Sequence, residues 1–287
     1  MKHAEPMTQA KPVVVKLGGR ALEAPGALAG FAAALAHLCR PTLVVHGGGA
    51  EVTRWCERLG IASRFHDGLR VTDPDTLEVA AAVLAGLANK RLVAKLRVMG
   101  IDAVGLAALD GGMLTVQRHT NADELGEVGE VVGADASLLQ QLLGAGRTPV
   151  VASLACDATG RLLNVNADDA ASALAAAINA SDLVLLSDTP GLKLDGAVVT
   201  RLCAHELPST IARPEVGGGM VPKLLAAQAA LAGGVARVHI TAWDNDDTLH
   251  RLLSGETHGT TLSQDSSASI ASAIPIPTTP KAPHGQL

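Results

Sequence analysis

The sequence predicts an α/β protein whose strands run mainly parallel. Short β-rich runs alternate with long Ala/Leu-rich segments of helical character, the pattern of parallel strands joined by crossover helices. The strand-like runs are almost continuously apolar rather than alternating, as strands covered on both faces are. With 48% hydrophobic residues but only Phe31, Trp55, Phe65 and Trp243 as aromatics, the core has to be built from Ala, Leu and Val in thin, closely approaching layers.

In chain order, a strand is expected at 12–17 (PVVVKL) and an Ala-rich helix at 27–39. A strand at 42–46 (TLVVH) and a helix at 50–59 follow. The next helix, 75–99, opens on Asp73-Pro74, an N-cap acceptor followed by proline at the first helical position, where its missing N–H costs nothing. A strand at 101–106 leads into 110–132, where the pattern loosens into two short candidate strands around RHTNADELGE. That segment reads as a projecting hairpin, either covering a pocket or forming a plain surface excursion. Helices at 136–145, 169–179 and 220–232 and strands at 148–152, 183–187 and 236–241 complete the alternation. From Ser263 the chain is rich in Ser, Pro and Thr without periodicity, and 263–287 is expected to be a disordered tail.

Composition excludes several classes of function. The net charge is -5, with charges scattered rather than clustered, so no footprint for nucleic acid is visible. No apolar stretch is long enough to span a bilayer, and MKHAEPMTQAKP lacks an apolar signal core, so a soluble cytoplasmic protein without a membrane partner is expected. Cys39, Cys56, Cys156 and Cys203 have no C-x-x-C spacing. They read as reduced, buried small hydrophobes, and no metal site is expected.

Three glycine clusters stand where strands end or helices begin: KLGGR at 16–20, HGGGA at 46–50 and VGGGMVPK at 216–223. Glycine there lets backbone N–H groups converge on an anion, and a following helix N-terminus adds its positive dipole end. Three such turns suggest a polyphosphate and an anionic acceptor. No G-x-x-x-x-G-K-[ST] and no G-x-G-x-x-G opening a helix occurs, so the phosphate site is built differently. HGGG also matches an esterase oxyanion hole, but the G-x-S-x-G elbow that such enzymes need is missing.

Lys16 lies at a strand end and Lys223 just inside a helix, each beside a glycine cluster. Phosphoryl transfer demands positive charge around the equatorial oxygens of the transferred group, which lysines approaching from both sides would supply. LLNVNADDAA places Asn164 and Asn166 before Asp168 and Asp169 at the mouth of an Ala-rich helix. One of these caps the helix, and an acid among them could orient the two lysines. Arg70, in DGLRVTD, carries a guanidinium fork that matches a carboxylate bidentately.

Together KLGG, VVHGGG, GLRVTD, GLANK, AVGL, LNVNADDAA, LLSDTPGL and GGMVPK, in this order, resemble the amino acid kinase family and most closely its branch acting on N-acetylglutamate. The resemblance spans nearly all of 11–262. It implies an open αβα sandwich with a mainly parallel central sheet. An N-terminal lobe, 12–175, would bind the acceptor and form a dimer contact, and a C-terminal lobe, 176–262, would bind ATP. Residues 1–11 would be a flexible N-terminus.

Carried across by residue, the resemblance implies that Lys16 and Lys223 stabilise the transition state and that Asp168 organises both. Gly48, Gly49, Arg70 and Asn164 would bind N-acetyl-L-glutamate. Asp188, Thr189, Gly191 and Leu192, with Gly217, Gly218 and Gly219, would hold ATP, and Gly18 and Gly19 would face its phosphates. Mg2+ would be carried by the nucleotide. About a dozen residues precede the first strand, too few for the N-terminal helix that builds hexamers in some members, so a homodimer insensitive or weakly sensitive to arginine is expected. The alternatives are a kinase for a differently masked substrate, such as N-succinylglutamate or a carrier-linked aminoadipate or glutamate, and a non-catalytic metabolite sensor. The sequence leaves open whether a nitrogen-regulatory partner binds.

Overall fold

The computed structural model describes residues 10–18 and 26–264, with a further two-residue strand at Ala273–Ile274. β1 (Val13–Leu17) is followed by α1 (Ala27–His37), β2 (Thr42–His46) and α2 (Gly49–Arg58). A hairpin of β3 (Arg64–His66) and β4 (Leu69–Val71) leads to α3 (Pro74–Ala81), which passes through a π-helical stretch, Ala82–Ala88, into α4 (Asn89–Val98). After β5 (Ala103–Ala107) come β6 (Leu114–Arg118), α5 (Ala122–Leu125), β7 (Val128–Ala134) and α6 (Ser137–Gly144). Next are β8 (Thr148–Ala152), β9 (Leu154–Cys156), β10 (Leu162–Val165), α7 (Ala167–Ala177) and β11 (Asp182–Ser187). The chain continues through β12 (Lys193–Leu194), β13 (Ala197–Val199), β14 (Arg201–Cys203), α8 (Leu207–Ile211), α9 (Met220–Ala232), β15 (Arg237–Ala242), α10 (Thr248–Leu253), β16 (Thr260–Ser263) and β17 (Ala273–Ile274).

Eight strands form the central sheet in the order β14-β16-β15-β11-β1-β2-β8-β5. From β15 to β5 every pairing is parallel; β16 runs antiparallel to β15, and β14 follows β16. The α/β class and the mainly parallel sheet are as the sequence predicts. The continuous apolar runs serve two cores at once. Val14, Val45, Val151 and Leu185 face Leu139, Leu174 and Leu224 of α6, α7 and α9. Val13, Val15, Val44 and Leu186 face Phe31, Leu96 and Leu249 of α1, α4 and α10. Ala-rich helices replace aromatic bulk: Ala170, Ala171 and Ala175 of α7 and Ala226, Ala227 and Ala230 of α9 are all buried, and Ser172 Oγ donates to the Ala226 carbonyl at 2.8 Å.

β1 lies between β2 and β11, so the chain winds outward from it in both directions. In open α/β sheets the crevice outside the strand C-termini at such a switch point is where ligands bind. Here those termini are Leu17, His46 and Ser187.

The structure alters five expectations. The 75–99 helix is interrupted by the π-helical stretch, at whose end Asn89 turns inward to the Leu106 and Val150 carbonyls. The α1 helix ends at His37 rather than at residue 39, because Cys39 takes a left-handed conformation with φ 48°, which stops the helix and turns its side chain to solvent. Cys39 is therefore exposed and Cys156 half-buried, whereas Cys56 and Cys203 are buried as expected. The segment LLNV, expected only to precede a helix, is β10 of a second sheet ordered β6-β7-β10-β9, to which the 110–132 hairpin contributes β6 and β7. The expected tail starts too early, since Ser263 closes β16, where burial of Leu262 and pairing to Arg237 hold it, and Ala273–Ile274 pairs with Val198 and Val199 of β13. The remainder of the tail, and residues 1–9 of the expected flexible N-terminus 1–11, lie outside the described residues. The 175/176 division falls in the last turn of α7, and both halves share the one central sheet. No described helix is long and apolar enough to cross a membrane.

Candidate active site at the sheet switch point

Alternation along β1 puts Lys16 on the face of Val14, under α7 and α9. Burial of an ammonium group there requires a partner, and Asp168 supplies it from the first turn of α7. Lys16 Nζ lies 2.6 Å from Asp168 Oδ1, and Lys223 Nζ, from the first turn of α9, donates to Oδ2 at 2.9 Å. At that distance Lys16 and Asp168 form a close ion pair. The three side chains retain 8%, 6% and 13% exposure for Lys16, Asp168 and Lys223.

Burial disfavours the Asp168 carboxylate, but the two ammonium groups outweigh it and hold the acid below its usual range. For Lys16, burial dominates and lowers the ammonium pKa, with Lys223 adding to the effect and Asp168 opposing it. One carboxylate thus gathers two cations that would otherwise repel each other. Asn166 is the N-cap of α7, its Oδ1 accepting from the Asp168 N–H at 2.7 Å, which leaves the Asp168 carboxylate for the lysines.

The second predicted group assembles around the glycine turn after β2. Gly48 and Gly49 begin α2, and Arg70 Nη2 donates to the Gly49 carbonyl and to Thr53 Oγ1, both at 2.7 Å. Arg70 Nη1 reaches Ser63 Oγ at 3.0 Å, and the guanidinium lies 4.7 Å from the centre of the Phe65 ring. Asn164 joins through Thr72: its Nδ2 donates to Thr72 Oγ1 at 3.1 Å, and that hydroxyl donates to the Arg70 carbonyl at 2.9 Å. A Cβ at Gly47 would lie 3.3 Å from Ala167 Cβ, so the turn packs on the start of the helix that carries Asp168.

The third group follows β11. Ser187 Oγ donates to Asp188 Oδ1 at 3.3 Å and lies 3.4 Å from Thr189 Oγ1. Gly191 has φ 146°, and a Cβ there would stand 2.7 Å from Thr260 Oγ1. The Leu192 N–H donates to that same hydroxyl at 2.8 Å, so Gly191 and Leu192 are anchored to β16. Gly217, Gly218 and Gly219 lead into α9, Gly218 at φ 54°; among the described residues nothing stands where a Cβ on each would lie, and no side chain caps the helix. Met220 N–H donates to the Gly217 carbonyl at 3.2 Å and Pro222 carries no N–H, so what suits a polyphosphate here is the glycine turn itself followed by Lys223. The Gly18 N–H is already donated to the Leu186 carbonyl at 2.8 Å, and a Cβ there would lie 2.6 Å from that oxygen; its lack of a side chain serves strand approach. Gly19 lies outside the described residues.

A cleft of about 640 Å³ opens beside these groups, bordered by Asn166, Asp169, Gly218 and Pro222 on one side and by His119 and Asn121 of the projecting hairpin on the other. The hairpin therefore borders a pocket. Burial among protein atoms, then the charges of Asp168 and Glu130, raise the Asp169 pKa to about 6, with Lys16 opposing. Its carboxyl opens into the cleft, so water moderates the burial while the neighbouring acids keep the direction upward. A second cleft, of about 500 Å³, is lined by Ser181, Arg237 and Glu256 near the opposite strand ends and touches none of these side chains. Thr72, Thr260, His119 and Asn121 escaped the sequence reading. The buried threonines carry no signal of their own, and the hairpin residues are visible only as a polar stretch.

The model of the amino acid kinase family matches residues 11–242. The acetylglutamate kinase of Symbiobacterium thermophilum is 41% identical over 244 residues, covering 80% of this chain and 83% of that one. The acetylglutamate kinase of Methanopyrus kandleri is 43% identical, covering 79% and 94%. Among solved structures, the smu.665 protein of Streptococcus mutans UA159 superposes with a TM-score of 0.77 at 27% identity, covering 88% of this chain and 99% of that one. The carbamate kinase of Giardia lamblia bound to AMP-PNP gives 0.65 at 13% identity over 90% and 100%, a likeness of fold alone.

Proposed function

The chain belongs to the amino acid kinase family, and from that membership we propose that it acts as an acetylglutamate kinase. It transfers the γ-phosphoryl group of MgATP to the γ-carboxylate of N-acetyl-L-glutamate, giving N-acetylglutamyl 5-phosphate and ADP in arginine biosynthesis. The observation that carries the chemistry is the convergence of Lys16 and Lys223, from opposite sides, on the two oxygens of Asp168 at the switch point.

A loose phosphoryl transition state spreads negative charge over three equatorial oxygens, and two ammonium groups held in place stabilise it without reorganising. Asp168 holds the two side chains apart and in place until the phosphates arrive. Arg70 takes a carboxylate of the acceptor, Asn164 a polar group of its acylamino end, and the amides of Gly48 and Gly49 face the reacting carboxylate. The carboxylate oxygen attacks phosphorus in line, the bond to the β–γ bridging oxygen breaks, and no proton need move. Asp188, Thr189, Gly191, Leu192, Gly217, Gly218 and Gly219 form the nucleotide side, and Mg2+ enters with the nucleotide. Residues up to 175 serve the acceptor and the contact of a cytoplasmic homodimer; those from 176 to 262 serve ATP.

Purified protein with MgATP, N-acetylglutamate and hydroxylamine should accumulate the acyl hydroxamate, and EDTA should abolish it. Failure to trap hydroxamate would overturn the reading. Parallel reactions with N-succinylglutamate and free glutamate should run at least tenfold slower.

A further inference from the structure

The GLANK segment at 86–90 has no role in the chemistry above, yet it ends on a fully buried amide. Asn89 closes the π-helical stretch, and its Nδ2 lies 2.9 Å from the Val150 carbonyl, 3.2 Å from the Leu106 carbonyl and 3.0 Å from His46 Nε2. Both carbonyls can only accept, so Nδ2 is the donor and the amide orientation is fixed. Its Oδ1 accordingly accepts from Lys90 Nζ at 3.1 Å. Because Nδ2 can only donate, His46 Nε2 at 3.0 Å is an acceptor that shares the two amide hydrogens with the two carbonyls. Its Nδ1 lies 2.8 Å from the Gly47 carbonyl, another pure acceptor, so Nδ1 carries the proton. The imidazole is held as one neutral tautomer between an amide and the first carbonyl of the glycine turn.

Two glycines make room for this. A side chain on Gly105 of β5 would collide with Asn89 Oδ1, and one on Gly48 would stand 2.7 Å from Leu84 Cδ2 in the π-helical stretch. The stretch thus grips the glycine turn twice, through Leu84 on Gly48 and through Asn89 and His46 on Gly47. The i→i+5 winding of a π segment turns Leu84 and Asn89, five residues apart, toward one face, which lets both meet the glycine turn.

We propose that Asn89 is a positioning residue for the acceptor site: through His46 it fixes the Gly47 carbonyl, and with it the direction in which the amides of the 47–49 turn point. Gly47 also packs on Ala167, so the same contact sets the turn against the helix that bears Asp168. The inference rests on the acceptor reading given above. The charged groups facing His46 are Lys90, whose Nζ also donates to the Gly105 carbonyl, and Glu51, Arg54, Arg91 and Lys95 across a groove on the same face of the sheet.

The test uses 15N-labelled full-length protein and Asn89→Asp, which keeps the shape and removes the donor. In the parent, long-range 1H–15N spectra should show His46 protonated at Nδ1 alone from pH 6 to 8; protonation at Nε2 alone, or at both nitrogens at pH 7, overturns the proposal without any variant. N89D should protonate His46 at Nε2, shift the Gly47, Gly48 and Gly49 amide signals, and lower kcat/KM for the acceptor on the order of 10–100-fold while KM for ATP stays within about threefold. Equal losses for both substrates, or none, would show a merely structural side chain. Should N89D not fold, Asn89→Ala is read by the same measures. If the parent turns over no N-acetylglutamate, the functional reading fails, while the tautomer and the amide signals still report on the positioning contact.

Discussion

Asp168 and Lys223 join the first turns of α7 and α9, Nζ to Oδ2 at 2.9 Å, across 55 residues of sequence. The contact ties the proposed acceptor side to the nucleotide side at the reacting centre. Lys223→Ala should lower kcat on the order of 100-fold or more with little change in KM for N-acetylglutamate. Asp168→Asn should do the same and also destabilise, by about 3 kcal/mol, because two buried ammonium groups lose their counter-charge. Hydroxamate assays and urea melts separate the two effects; a K223A variant turning over within about threefold of the parent would remove Lys223 from the chemistry.

The adjacent acids should respond to pH with opposite signs. Asp168 is held below its usual range, so its share of stability is present above the unfolded value and is lost as pH falls through the lower folded one. Asp169 is raised from 3.8 to about 6, so the folded chain keeps a proton that the unfolded chain releases, and stability falls as pH rises across that window. Asp169→Asn should therefore stabilise at pH 7 by about 1 kcal/mol, screened by water in the cleft, and by nothing below about pH 4. Urea midpoints at the two pH values check this; an equal gain at both contradicts it.

Arg70 is fixed by Gly49, Thr53, Ser63 and the Phe65 ring. A lysine reaches one of the three hydrogen-bond partners, so Arg70→Lys should raise KM for the acceptor roughly 10–100-fold and leave KM for ATP nearly unchanged. Phe65→Ala removes only the ring and should cost about 0.5–1 kcal/mol of acceptor binding, a few-fold in KM. Steady-state kinetics with each substrate varied in turn decides.

Thr260 accepts from the Leu192 N–H and donates to the Val199 carbonyl at 2.6 Å, with no exposed surface. Thr260→Val leaves both backbone groups unpaired, so a loss of about 2 kcal/mol is expected. Because the freed loop is the proposed nucleotide side, KM for ATP should rise more than KM for the acceptor. Thermal melts with and without ATP test it, the ligand-induced shift shrinking in the variant.

The sheet was the most legible part of the sequence. The runs at 42–46 and 148–152 and the helix at Met220–Ala232 match to the residue, since an apolar stretch bounded by Gly, Pro or His leaves little choice. The glycine clusters and the two lysines could be picked out because phosphate chemistry narrows what such residues do. The break in the long third helix could not, because it depends on carbonyls of Leu106 and Val150 that meet Asn89 only in the folded chain. Thr72 and Thr260 were hidden for the same reason: a buried hydroxyl bridging distant backbones has no local pattern. Arg70 stands out in the sequence by its guanidinium fork beside a glycine, but the partners that hold it have no local pattern.

The position of β1 also shapes how the protein is made. Its first neighbour, β2, leaves the ribosome early, while its other neighbour, β11, emerges only after more than half the chain is synthesised. Until then one edge of Val13–Leu17 has no strand to pair with, and the Lys16 ammonium has no Asp168 to meet. Parallel pairing over such a separation is slow to form, so the nascent chain passes through an interval with a bare apolar edge, a period in which chaperones that shield strands would raise its yield.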